Sequence, residues 1–172
     1  MTLRVRYSRD MQASDIAREL VAYDGWANQR ILAAAAGLDT TVPSQGASWG
    51  SIERSLQHIV GSHATWLGRF TGDPEIDVAA SGHAALSARF VAVQEALGEF
   101  VASLSDDAYF AEIAFKDSRG NQHRDVLALL LAHLVNHGTY HRGEVALLLT
   151  EAGHSPGDVD MIVHRRMIDP TR

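Results

Sequence analysis

Four long segments of this chain repeat apolar residues at three-and-four spacing, and little else in the sequence reads as strand. The first runs from about Ser14 to Ala36, with Ile16, Leu20, Tyr23, Ala27, Ile31 and Ala34 as its stripe. Ser14 suits its N-cap and Gly37 its stop. The second runs from about Ser51 to Phe70, striped by Ile52, Leu56, Ile59, Trp66 and Phe70. The third runs from about His83 to Leu104 on Leu86, Phe90, Val93, Leu97, Phe100 and Leu104. The fourth runs from about Arg124 to Ala152, stopped by Gly153, and is nearly all apolar from Val126 to Leu131. Such a run predicts a helix surrounded by others. Four long amphipathic segments predict an all-α fold, a four-helix bundle.

Between the third and fourth segments, Ile113 and Phe115 alternate with Ala114 and Lys116, and Asp117 to Asn121 forms a turn signal. A small hairpin is expected there. The stretch from Gly72 to Gly82 is long enough for a crossover connection, and the residues after Pro156 suit a short packed segment. With 172 residues and no linker or repeat, the chain reads as a single domain.

The closing segment also carries chemistry. His133, His137 and His141 follow one another at four-residue steps, which places their rings on one helical face, a turn apart. Two imidazoles so placed can grip one divalent cation. All three cannot bind the same ion, because the outer two are about 12 Å apart along the axis. One adjacent pair must serve, with a third ligand from another helix, and spacing does not choose the pair. His58 is the best third candidate. It lies off the centre of its apolar stripe, near Ser51, Ser55 and Ser62, a small polar face that suits a pocket wall. His63 falls among apolar residues and reads as a hydrogen-bonded buried histidine.

Composition narrows the chemistry. There is no cysteine, which excludes disulfides, thiolate zinc sites and a cysteine nucleophile. The net charge of −6 comes with acidic and basic residues interspersed, so no basic stripe marks nucleic-acid binding. No apolar run approaches the about 20 residues of a membrane span. The N-terminal MTLRVRYSRDMQ lacks an apolar h-region, and a cytoplasmic location is the default expectation. Gly46-Ala47-Ser48-Trp49-Gly50 fits a nucleophile-elbow pattern, but that pattern requires a preceding strand, and GLDTTVPSQ supplies none. Ser48 or Ser51 reads better as the N-cap of the second helix. Trp26, Trp49 and Trp66 read as core.

SIERSLQHIVGSHATWLGRF, LLAHLVNHGTYHRGEVALLLTEAG and the opening LVAYDGWANQRILAA resemble the DinB/YfiT-like family of metal-binding four-helix proteins, as does the end, where Asp158-Val159-Asp160-Met161-Ile162 follows a glycine and a proline. The resemblance extends over about residues 10 to 165, with His-x-x-x-His-Arg-Gly its most specific part. It implies an up-down-down-up bundle and a metal held by one histidine of the second helix and two of the last, here His58, His137 and His141. It leaves His133 beside the site. It also implies a homodimer and, in some members, transferase or isomerase chemistry with a low-molecular-weight thiol such as bacillithiol, mycothiol or glutathione.

Three imidazoles leave coordination positions open, the pattern of a catalytic rather than a structural site. Zinc or nickel is the expected metal, with copper and iron also suited to imidazole. Without cysteine in the chain, a reacting thiolate must come from a small-molecule cosubstrate. The expected function is transfer of such a thiol to a small electrophile. A metal-water hydrolase and a stress-related bundle that holds a metal or ligand without turnover are the alternatives. Glu144, Asn28 and Asp24 are candidates to receive the outer ring nitrogens, and Arg142 either orients an anionic substrate or faces solvent.

Overall fold

A computed structural model describes residues 11–45, 47–73 and 80–170. Among them the chain is mostly helical, with five α-helices and one two-stranded sheet. The elements are α1 (Ala13–Ala35), α2 (Ile52–Thr71), α3 (His83–Ser103), β1 (Glu112–Lys116), β2 (Gln122–Val126), α4 (Leu127–Glu151) and α5 (Met161–Ile168). A 3-10 turn, Asp106–Phe110, precedes the hairpin.

The four long helices each bury the stripe that their spacing demands. α1 packs on α3 and α4, and α2 packs on the same two. Ile31, Ile59, Leu97, Leu131, Leu134 and Leu149 meet at the centre and are almost inaccessible to solvent. Each such side chain contributes about 1.5–3 kcal/mol by leaving water. Pairwise contacts set the directions. Gln94 Nε2 donates to Val21 O and His83 Nε2 lies 2.8 Å from Leu32 O, so α1 and α3 run antiparallel. Ser81 Oγ reaches Glu53 at one end while Phe70 stacks on Phe100 at the other, so α2 and α3 run parallel. His58 meets His141 while Trp66 meets His133, so α2 and α4 run antiparallel.

Helix ends follow local chemistry with one exception. Ser51 Oγ accepts from Arg54 N and caps α2. Gly72, at φ +77°, ends the same helix in a left-handed conformation, its N–H donating to Gly68 O. Ser14 is not the cap of α1. The helix begins one residue earlier behind Gln12, Ser14 is buried in its first turn, and the Ser14 N–H donates to Asp106 Oδ1, 92 residues away in sequence. A distant carboxylate supplies the acceptor that a local hydroxyl was expected to supply.

The hairpin forms where residue alternation predicts it, with Phe115 opposite His123 and Lys116 opposite Gln122. It takes residues through Val126, so α4 begins at Leu127 rather than Arg124. Two stripes also need correction. Ile16 is 51% exposed, because the inward face of α1 is set by Ala17, Val21, Asp24, Asn28 and Ile31. α4 is not surrounded: Leu129, Tyr140 and Leu147 are about 60% exposed, on the face turned away from α1 and α2. No described helix is long and apolar enough to cross a membrane. The N-terminal residues 1–10, most of the Gly72–Gly82 connection and Gly46 lie outside the described residues.

A buried polar cluster ties three helices together. Arg142 Nη1 of α4 donates to Asp24 Oδ1 and, at 3.0 Å, to Asn28 Oδ1 of α1. Asn28 Nδ2 donates to Asp24 Oδ2 at 3.0 Å. His63 of α2 lies with its Nε2 2.7 Å from the same carboxylate oxygen and its Nδ1 2.7 Å from Ile59 O. Gly138 makes room for it. A Cβ there would lie 2.7 Å from Arg142 Nη1 and 2.9 Å from Asp24 Oδ1. Gly138→Ala is therefore expected to lower unfolding stability by on the order of 2 kcal/mol, although alanine is the better helix former. Chemical denaturation of both proteins measures it.

Candidate metal centre

α2 and α4 cross so that one ring from the first meets two from the second. The His58 ring centroid lies 4.9 Å from that of His137 and 4.6 Å from that of His141, and the last two are 4.7 Å apart. One ligating nitrogen from each ring falls within 4.8 Å of the other two. Among the described residues, these three could hold a metal ion. His58 Nε2 and His137 Nε2 are only 3.1 Å apart. Two nitrogens on one zinc, each at about 2.0–2.1 Å, stand about 3.3 Å apart in tetrahedral geometry. The donor set therefore fits one small divalent cation, and three imidazole donors suit zinc, nickel or copper.

The surroundings disfavour a proton on two of the rings. His137 is pushed down to about 4 from an ordinary 6.5, first by burial and then by the neighbouring His141, His58, His133 and His63. His58 is lowered too, mainly by burial and the charge of His141, with Glu144 opposing. A proton on either ring is disfavoured, which leaves the nitrogens free for a cation.

Glu144 completes one side. Its Oε2 lies 3.4 Å from His141 Nδ1, and its Oε1 accepts the hydroxyl of Ser48. Burial opposes ionisation of Glu144, but the Ser48 bond and His141 outweigh it and hold the carboxyl below its ordinary value. A carboxylate on Nδ1 fixes the ring and directs Nε2 to the other ligands. The Ser48 hydroxyl is thus bonded to a carboxylate and not to the histidine of a Ser-His-Asp arrangement.

Asn28, Asp24 and Arg142 behave differently from the expected outer ring of partners. They bond one another and His63, behind the three ligands rather than to them. Arg142 does not face solvent, being 1% exposed, although it lines the pocket between α1, α4 and residues 157–161. Its charge is matched by Asp24. Burial favours the neutral acid of Asp24, yet His63 and Arg142 overcome it and hold the carboxyl below its usual range. His133 is exposed on the outer edge, its ring 5.9 Å from His137 and edge-on to Trp66.

Trp49 is the residue that sequence reasoning misplaced. It is not core: 45% of its surface is exposed, and its ring stacks on His58 at 4.0 Å with 21° between the planes. The Ser48–Glu144 bond anchors the loop beside it. Nothing periodic marks Trp49, because it sits in the irregular turn before α2, and only folding carries it over a ring nine positions later. Trp66 is core, and Trp26 is half-buried against Tyr23 and His164.

Comparison with known proteins gives the same direction. The DinB family model matches residues 11–170. The protein named Protein DinB from Bacillus subtilis (strain 168) is 26% identical over 158 residues, which is 86% of this chain and 92% of that protein.

The depressed proton affinity has a measurable sign. In the metal-free protein the folded value of His137, about 4, lies below the 6.5 of an unconstrained ring. Protons then bind the unfolded chain more readily, so stability present above 6.5 is lost as the pH falls towards 4. Thermal midpoints across that range should fall steeply for the metal-free protein and less steeply for His137→Gln.

Proposed function

The chain belongs to the DinB family, and from that premise we propose that it is a metal-dependent enzyme that transfers a low-molecular-weight thiol to a small electrophile. The observation that carries the reading is the convergence of three imidazoles, His58, His137 and His141, with no fourth protein ligand among the described residues. A divalent cation, zinc or nickel, would supply a Lewis acid that lowers the pKa of a thiol entering beside it. The chain contributes the rest. Two rigid helices preset the ligand positions, Glu144 orients His141, and Trp49 covers one face of His58 against water. The chain has no cysteine, so the sulfur comes from the cosubstrate. The thiol loses its proton, its sulfur bonds to the electrophilic carbon, and the leaving group departs with the bonding pair.

The same reading extends to architecture and assembly. The antiparallel and parallel contacts between the long helices support an up-down-down-up four-helix bundle. Leu129, Tyr140 and Leu147 recur on one outer face of α4 and support a homodimer, buried against a second copy. A cytoplasmic location belongs to this proposal as well.

Protein purified without a histidine tag should contain about one equivalent of divalent metal, and His58→Ala or His137→Ala should abolish it. Metal-loaded protein should conjugate at least one of several thiols to a model electrophile such as chlorodinitrobenzene. Turnover of ester substrates without any thiol would replace transfer by hydrolysis, and metal content without turnover would leave a metal-holding protein. Leu147→Glu should halve the mass measured by light scattering without removing the metal.

A further inference from the structure

A groove of about 510 Å³ opens beside His58 and runs along the outer face of α2 to the hairpin. His58, Ser62, Thr65 and Arg69 follow at steps of four, three and four, so they share one helical face. Gly61 adds open space beside them, since a Cβ there would meet nothing within 4 Å. The far end is built more firmly. The Arg69 guanidinium lies 4.4 Å from the Trp66 ring and 5.3 Å from the Phe115 ring, and its Nη2 donates to Lys116 O at 2.7 Å. That single bond holds the plane in place and leaves the other N–H groups of the fork for a guest.

Asp117 lines the same end, but its acceptors are occupied. Oδ1 accepts from Arg119 N and Asn121 N, and Oδ2 from Asn121 Nδ2 and His123 Nε2, all at 2.9–3.1 Å. Arg69 is thus the charged group there with hydrogen-bonding capacity to spare. The two ends of the groove are about 16 Å apart along the helix, less the reach of two side chains. That span suits a molecule the size of a di- or tripeptide.

We infer that this groove binds the tail of the thiol cosubstrate, and that Arg69 receives a carboxylate on that tail. The inference rests on the proposed thiol transfer for the near end, where the sulfur meets His58, and on Arg69 alone for the far end. The favoured class is a linear, peptide-sized thiol carrying an acidic group, in preference to a small neutral thiol. The hydroxyls of Ser62 and Thr65 line the wall between.

Titration calorimetry on the zinc-loaded protein tests it with three probes: glutathione, 2-mercaptoethanol and S-methylglutathione. Glutathione should bind at least about tenfold more tightly than 2-mercaptoethanol, the size expected of a charge-assisted hydrogen bond. Arg69→Gln should remove about that factor for glutathione and leave 2-mercaptoethanol unchanged. Gly61→Leu, whose Cβ would meet nothing within 4 Å and whose side chain adds bulk to the groove wall, should abolish the preference. Equal affinities in the wild type, or a preference that survives both substitutions, overturn the inference. S-methylglutathione separates it from the reading it rests on. If neither free thiol alters the visible spectrum of the cobalt-substituted protein, thiol transfer fails. The groove assignment still stands if S-methylglutathione binds and Arg69→Gln weakens it.

Discussion

The buried pairing of Arg142 with Asp24 is the constraint on which the arrangement of the helices depends. Two charges removed from water are costly unless each finds its counterpart and its remaining bonds are made. Here Asn28, Thr139 and His63 make most of them, drawing on α1, α2 and α4 together, and only the Arg142 Nε is left without a partner in this network. A sliding of α4 by one turn would leave a guanidinium and a carboxylate unmatched in an apolar interior. The network therefore fixes which turn of α4 faces which turn of α2. His141 immediately precedes Arg142 in the chain, and His137 lies one turn earlier. Setting the register for the ion pair sets it for the candidate ligands.

That register brings three rings into one space at the edge of the core. Partial burial and crowding by like groups disfavour the imidazolium of His58 and of His137, which leaves both in the form that accepts a cation. The folded protein tolerates this because the rings sit at the edge of the core, between Trp49 on one side and the groove leading to Arg69 on the other. Glu144 links the two halves of the edge, bonding to the loop through Ser48 and facing His141. The site is thus assembled by one rigid contact between helices and trimmed by one loop.

Much of this was legible in the residues. The apolar spacing predicted the four long helices, and alternation around Ile113 and Phe115 predicted the hairpin. Both are period signals that survive without knowledge of neighbours. His63 read as a buried, bonded histidine and is one, because its apolar flanks already said that it faced inward. Other positions were opaque. Ser14 looked like a cap, but Gln12 holds that place and the Ser14 N–H is taken by Asp106 from across the fold. Asn28 and Arg142 looked like partners for the ligands but belong to the ion-pair network beneath them. Trp49 looked like core and lies over His58. In each case the deciding atom is distant in sequence, and no local rule weighs it.

The sequence by itself determined where helices form, which faces seek the interior, and that the closing helix offers histidines at metal-binding pitch. Periodicity carries that information because 3.6 residues per turn is a property of the backbone alone. Only the tertiary structure decided that position 58 meets positions 137 and 141, and that position 133 faces outward beside Trp66. Spacing leaves adjacent pairs on one helix equivalent. The crossing of a second helix, held by a charge pair that cannot be buried unmatched, breaks the equivalence.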